Sequence, residues 1–280
     1  MKFSSELASI HAYLCADGYV IRNPESQKHK YYYIGLRNTN EVLLKDFQNK
    51  FKVVFGLTPI ITKDGRCKIQ NKTIFFQLTE NFSYYSGEWK IPKLSKEELK
   101  CWLRSFFDCE SWIQVQKAKS RAIGVESING KGLRQIKDVL QKEFEIHTSD
   151  VKKRKNRSVW YIHICGKDDL LRFKDNIGFL HPKKKARLQE ALDSYETYEW
   201  TIPEEKEKLI KFINKRGRIR KDTKEIRFFS ILKKNLIELK NKLIKYDINA
   251  KVYGPWKNNR GRIYYCLTIK QSELIKLKGD

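Results

Sequence analysis

The sequence predicts an α+β fold in which one unit, written αββαββα, is used three times along 280 residues. Three observations predict it. A linker is duplicated, Glu88-Trp89-Lys90-Ile91-Pro92 returning as Glu199-Trp200-Thr201-Ile202-Pro203, and self-similarity of this kind outranks any local pattern. The helix that opens each third ends in one frame, with Asp17, Glu110 and Arg216 at the same position and Gly18, Ser111 and Gly217 next. A hairpin with a basic tip follows late in every third. The linkers divide the chain into 1–92, 93–199 and 200–280.

Within each third the elements follow from periodicity. The prolines of the linkers signal the start of the opening helix in the second and third copies. Partly alternating, β-rich stretches come next, Tyr31 to Leu36, Ala122 to Ser127 and Glu225 to Ile231. Apolar residues at three- and four-residue spacing then predict a second helix over Glu41 to Phe51, Gly132 to Phe144 and Asn235 to Tyr246. Asp64-Gly65 predicts a two-residue turn in the first hairpin, and Lys183 to Leu192 reads as the closing helix of the second copy.

Charge narrows the function. With 58 Lys+Arg against 33 Asp+Glu the net charge is +25, while 40% of residues are hydrophobic. The chain is too apolar for a disordered tail and too basic for a typical metabolic enzyme, and its field favours a polyanion, DNA or RNA first. No apolar run reaches membrane-spanning length and Met1-Lys2-Phe3-Ser4 opens no secretory signal. The expectation is an intracellular protein, cytoplasmic or organellar, neither secreted nor membrane-bound. The six cysteines include no Cys-x-x-Cys pair, which disfavours a zinc site or a disulfide framework.

The opening helices carry the chemistry. Ala8, Ala12 and Ala16 lie on one face of the first, and Cys101, Ser105 and Cys109 occupy the matching positions of the second. Two small-residue stripes let helices approach closely. Packed side by side, they bring Asp17 and Glu110 together, and two such carboxylates make a hard oxygen site for Mg²⁺ or Mn²⁺ and for metal-assisted attack on a phosphodiester. In the third copy the stripe reads Glu207, Lys211 and Lys215, with Arg216 at the acid position. That copy has lost the chemistry and kept binding: it holds 22 basic against 9 acidic residues over 200–280.

The nucleic-acid-binding candidates fall into three groups. Lys28, Lys30, Arg37, Lys117, Lys119 and Arg121 are assigned to sheet faces that address base edges. Hairpin tips supply Lys63, Arg66, Lys68, Lys153, Arg154, Lys155, Arg157, Lys257, Arg260 and Arg262 for phosphates. The run Arg216, Arg218, Arg220 adds to the third copy. His11, inside the first motif helix, reads as structural.

These motif segments resemble those of the LAGLIDADG homing endonucleases. Ile10-His11-Ala12-Tyr13-Leu14-Cys15-Ala16-Asp17-Gly18 has the small third position, the apolar fourth and fifth and the Ala-Asp-Gly ending. Leu103-Arg104-Ser105-Phe106-Phe107-Asp108-Cys109-Glu110-Ser111 is the second copy, and Ile177 to Lys184 is similar to the family's end-of-domain sequence. Cys15 stands in place of the motif's first Asp and Ser111 in place of its last Gly. The resemblance, which covers about residues 1–195, implies two domains joined at their motif helices, with saddle-shaped antiparallel sheets in the DNA major groove. It implies a monomer with internal pseudo-two-fold symmetry in which Asp17 and Glu110 ligand Mg²⁺ or Mn²⁺ at the scissile phosphates. Lys183, or Lys184 beside it, would be the basic residue near the phosphate, and Lys183 is the candidate. The function so implied is sequence-specific cleavage of double-stranded DNA. The alternatives on this scaffold are an intron-RNA-binding maturase or a DNA-binding regulator that does not cut.

Overall fold

The computed structural model describes residues 2–116, 120–195, 199–220, 222–257 and 263–278. The chain forms two compact units, Met1–Tyr195 and Glu196–Asp280. In the first, the order is α1 (Ser5–Cys15), β1 (Gly18–Arg22), β2 (Tyr32–Arg37), α2 (Glu41–Phe55), β3 (Ile60–Thr62), β4 (Arg66–Gln70) and α3 (Lys72–Thr79). It continues with α4 (Lys96–Glu110), β5 (Ser111–Val115), β6 (Arg121–Ser127), α5 (Gly130–Phe144), β7 (Lys152–Lys153), β8 (Trp160–Cys165), α6 (Lys167–Asn176) and α7 (Pro182–Asp193). The second unit holds α8 (Lys206–Arg216), β9 (Arg218–Arg220), β10 (Glu225–Ser230), α9 (Lys233–Ile244), β11 (Lys251–Lys257), β12 (Ile263–Lys270), a 3₁₀ turn and α10 (Ile275–Lys278).

The architecture is α+β, as the sequence predicts. Three four-stranded antiparallel sheets, β1-β2-β4-β3, β5-β6-β8-β7 and β9-β10-β12-β11, share one strand order. In each, the two hairpins meet through their second strands, so one sheet joins the halves of a repeat. Alternation assigns the faces. In β2, Ile34 and Leu36 are fully buried against α1 and α2, while Tyr33, Gly35 and Arg37 occupy the other face.

Helix starts are set by side-chain caps more than by the linker prolines. α4 begins at Lys96, four residues past Pro92, because Ser95 and Glu98 close a capping box there. Pro182, at the first turn of α7, is the proline that does start a helix. The β3–β4 connection is a three-residue loop, not the predicted two-residue turn: Thr62 pairs with Arg66, and Gly65 takes the left-handed conformation at φ 76°.

Both linker tryptophans are structural anchors. Trp89 is buried against Trp102 and Phe106, and its carbonyl accepts from Asn129 Nδ2 at 2.7 Å. Trp200 packs in the core of the second unit and donates its backbone N–H to Asn235 Oδ1 at 3.1 Å. No helix among the described residues is long and apolar enough to cross a membrane.

Candidate active site

The site grows from the α1–α4 pair. Ala8 and Ala12 are fully buried, and with Cys15 they belong to the core cluster of the α4–α7 half, while Cys109 packs against the cluster of the α1–α3 half. Each motif helix is therefore shared by two cores. Close approach leaves room for hydrogen bonds across the seam: Ser9 Oγ donates to Cys101 O at 3.4 Å and Trp102 Nε1 donates to His11 Nδ1 at 3.1 Å. His11 sits among Phe3, Phe82, Tyr84 and Trp102, and burial holds its pKa down at about 3. It is a neutral seam residue.

At the C-terminal ends of the pair the two acids come together. Asp17 follows α1 and accepts from Asn38 Nδ2 at 2.8 Å, and its carbonyl accepts the Arg37 N–H at 3.2 Å, which ties it to the end of β2. Gly18 is required next, since a Cβ there would lie 2.4 Å from Leu14 Cα. Cys109 reaches across the seam to hydrogen-bond the Asp17 carboxylate; burial and that negative neighbour push its thiol well up. Glu110 ends α4. Burial first, and the Asp17 charge second, raise its pKa to about 7.

A third carboxylate serves the scaffold. Asp108 is 1% exposed and accepts from the backbone N–H groups of Leu180 (3.1 Å) and His181 (3.0 Å), fixing the start of α7 against α4. Burial lifts its pKa to about 6, with those two donors and Lys184 opposing. Lys184, one turn into α7, donates to the carbonyls of Phe107 (3.1 Å), Asp108 (2.7 Å) and Cys109 (3.3 Å). Its positive charge thus caps the negative end of α4. Burial lowers the Lys184 pKa while the surrounding Cys109, Asp108, Asp17 and Glu110 hold it up.

Asp17, Asp108, Cys109 and Lys184 line an open cleft of about 460 Å³ whose walls also include Arg37, Asn38, Thr39, Asp64, Gly65 and His181. Asp17 and Glu110 offer a hard, oxygen-only donor set. Carboxylate oxygens without nitrogen or sulfur donors are the ligand chemistry of Mg²⁺ and Mn²⁺, so the residues present fit a hard divalent cation. Among the described residues no group of three or more His, Cys, Asp or Glu forms a metal cage.

Several sequence candidates need correction. Lys183 is exposed, and Lys184 is the lysine turned toward α4, because Pro182 fixes the helix start and places the third helical residue on that side. Lys28 and Lys30 lie in the loop between β1 and β2, not on a strand, and Lys30 donates to Pro24 O at 2.8 Å. Arg121 is committed inward: its Nε donates to Ser194 Oγ at 2.6 Å and its guanidinium lies 4.5 Å from the Tyr195 ring centroid. Arg216 rests 5.0 Å from the Trp200 centroid, Arg220 pairs with Asp222 at 2.8 Å, and Arg66 pairs with Asp64 at 2.9 Å.

Other candidates keep exposed or half-exposed places. Arg37 lines the cleft, and Lys63, Lys155, Arg157, Arg218 and Lys257 are exposed. Lys68 is half-buried, on the β4 face opposite Gly35. Lys153 lies 6.0 Å from the Trp160 centroid, and Arg154 pairs with Glu126 while covering Tyr161 at 4.6 Å. Lys117, Lys119, Arg260 and Arg262 lie outside the described residues. Asn38, Asp108 and His181 were not singled out by sequence reasoning; for Asp108 the signal was its place two before Glu110 in the motif.

Residues 97–178, from the first turn of α4 to just past α6, match the LAGLIDADG-like domain. No curated protein matches the sequence. Among solved structures the chain is similar to mesophilic variants of the homing endonuclease I-DmoI, at 13% identity over 65% of this chain and 98% of that one, with a TM-score of 0.48. It is similar to I-DmoI in complex with DNA and Mn at 12% identity, covering 61% and 97%, with a TM-score of 0.47. Full-length DUF199/WhiA from Thermatoga maritima matches at 14% identity, covering 77% of this chain and 68% of that one, with a TM-score of 0.47. The match to the LAGLIDADG-like domain thus covers the α4–α6 segment, which includes Glu110, and not the α1 segment that precedes Asp17.

Proposed function

We propose that the protein is a monomeric, divalent-metal-dependent endonuclease that cuts double-stranded DNA at a specific sequence. One observation carries the reading: Asp17 and Glu110 stand at the C-terminal ends of α1 and α4, two helices that interlock through a small-residue seam. Mg²⁺ or Mn²⁺ held by this pair would supply positive charge at a phosphoryl oxygen and acidify a water. The chain's own residues do the rest. Asn38 orients Asp17, Lys184 fixes the end of α4 that carries Glu110, and Asp108 locks α7 so that Lys184 stays in reach. Arg37, on the cleft wall, is placed for a phosphate. The presence of DNA in the I-DmoI complex with Mn supports the substrate class only by likeness.

A second reading is a duplex-binding protein that does not cut. It is favoured by the cleft walls, which include Asp17 and Lys184 but not Glu110. Incubation with Mg²⁺ and a plasmid library carrying randomised sites, or DNA flanking the chain's own gene, separates the two. Linearisation at one site by the wild type, lost in Asp17→Asn and in Glu110→Gln while both still bind that site, establishes the nuclease. A site bound with wild-type affinity and never cut leaves the non-cleaving reading.

A further inference from the structure

The unit Glu196–Asp280 carries 22 basic against 11 acidic residues, and its sheet has two unlike faces. The inner face, with Ile226, Phe228, Leu267 and Ile269, is buried against α8 and α9. Register defines the outer face, since directly opposed residues of antiparallel strands share a side. Arg227 opposes Thr268 and Arg218, Phe229 and Tyr253 both oppose Cys266, Trp256 opposes Tyr264, and Lys251 opposes Thr268. Arginine, lysine and four aromatic rings therefore lie on one face.

The rings form a continuous path. Tyr253 and Trp256 are stacked at 6.4 Å with 16° between planes, Trp256 meets Tyr264 at 5.7 Å, and Tyr264 meets Phe229 at 6.2 Å. The Arg218 guanidinium lies 5.9 Å from the Phe229 centroid at one end. Phe229, Tyr253 and Trp256 are 42%, 44% and 42% exposed. Contiguous rings left in water on one face mark a binding surface. The sheet of the α4–α7 half is different: there the Arg154 guanidinium covers Tyr161 at 4.6 Å and approaches Trp112 at 5.9 Å.

We propose that the outer face of the β9-β10-β12-β11 sheet binds an unpaired strand of RNA, stacking its bases on Phe229, Tyr253, Trp256 and Tyr264. Arg218 and Lys251 flank the rings for the phosphates, while Arg227 is paired with Glu225 at 2.8 Å. Duplex DNA does not fit this chemistry, because its bases already stack on one another and show only their edges in the grooves; flat rings need splayed bases. An apolar protein partner does not match a rim this basic. Unpaired runs long enough for four rings are the ordinary state of RNA loops and ends. The proposal does not depend on the cleavage reading, since it uses no residue of the Met1–Tyr195 unit.

The test uses the full chain, a fluorescent U20 oligonucleotide, its deoxy counterpart dT20 and a 20-base-pair DNA duplex, at fixed salt. We expect U20 to bind more tightly than dT20, and Trp256→Ala with Tyr264→Ala to weaken U20 binding about five-fold or more per ring, leaving the duplex untouched. The conservative Trp256→Phe should keep U20 affinity and lose the tryptophan quenching that U20 produces in the wild type. Circular dichroism and melting confirm that these surface variants fold. The proposal is overturned if ring removal leaves U20 affinity unchanged, if duplex affinity falls in parallel, or if dT20 binds as tightly as U20.

Discussion

Glu110 couples metal affinity to pH through a definable sign. Its carboxyl ordinarily titrates near 4.5 and in the folded chain near 7. Between those values the folded state keeps a proton that the unfolded state has released, so raising the pH across this window costs stability, and a cation at the charged pair gives it back. Mg²⁺ should therefore raise the melting temperature more at pH 8 than at pH 5.5, and Asp17→Asn should lower the Glu110 pKa and shrink the effect. A Mg²⁺ shift equal at both pH values would sink the assignment. Lys184 is tested beside its neighbour. Lys184→Met removes three hydrogen bonds to the end of α4 and should cost about 1–3 kcal/mol in denaturant unfolding, with Glu110 titrating higher still. Lys183→Met, at an exposed position, should stay within about 0.5 kcal/mol of wild type. The sequence could not separate these two lysines, because which one faces α4 depends on how α7 docks, and the Asp108 contacts to the Leu180 and His181 N–H groups that set this join residues more than seventy apart in the chain.

Helix pairing is where the sequence was most legible. The stripes Ala8, Ala12 and Cys101, Ser105 announce a close seam by size alone, and the seam forms. In α8 the matching Glu207, Lys211 and Lys215 are exposed, so the same arithmetic also marks a helix that faces water. A leucine at position 12 would enter a site with no free space; Ala12→Leu should destabilise by about 1–3 kcal/mol and part the two acids, bringing the Glu110 pKa down. Lys211→Ala should be close to neutral, and equal losses in the two variants would mean the seam does not control the site. What the sequence hid were contacts of chain-distant backbone groups. Asp108 reads as a spare acid until the N–H groups of Leu180 and His181 are seen to converge on it, and Arg121 reads as a sheet-face cation until Ser194 closes over it. Basic residues were legible as a total and not one by one, because pairing with a neighbouring acid, as in Arg220 with Asp222, decides which charges remain for a phosphate.

For the whole molecule, charge and core divide differently from chemistry. The Met1–Tyr195 unit has both acids, and Glu196–Asp280 has its own buried cluster around Leu209, Phe228, Leu236 and Leu267. Two units with no buried cluster in common should unfold as separable transitions, and the chain ending at Tyr195 should fold and cut the site that the full chain cuts. Removal of the basic unit then discriminates between two uses of its charge. If its cations gripped duplex phosphates, log K for the DNA site would fall less steeply with log salt in the truncated chain, by about 0.9 for each lost contact. If its aromatic face instead takes an unpaired strand, the duplex slope should remain that of the full chain while U20 binding disappears. The second outcome is the expected one, because the exposed groups that distinguish this sheet are rings in contact with one another, and a ring carries no charge to neutralise a phosphate.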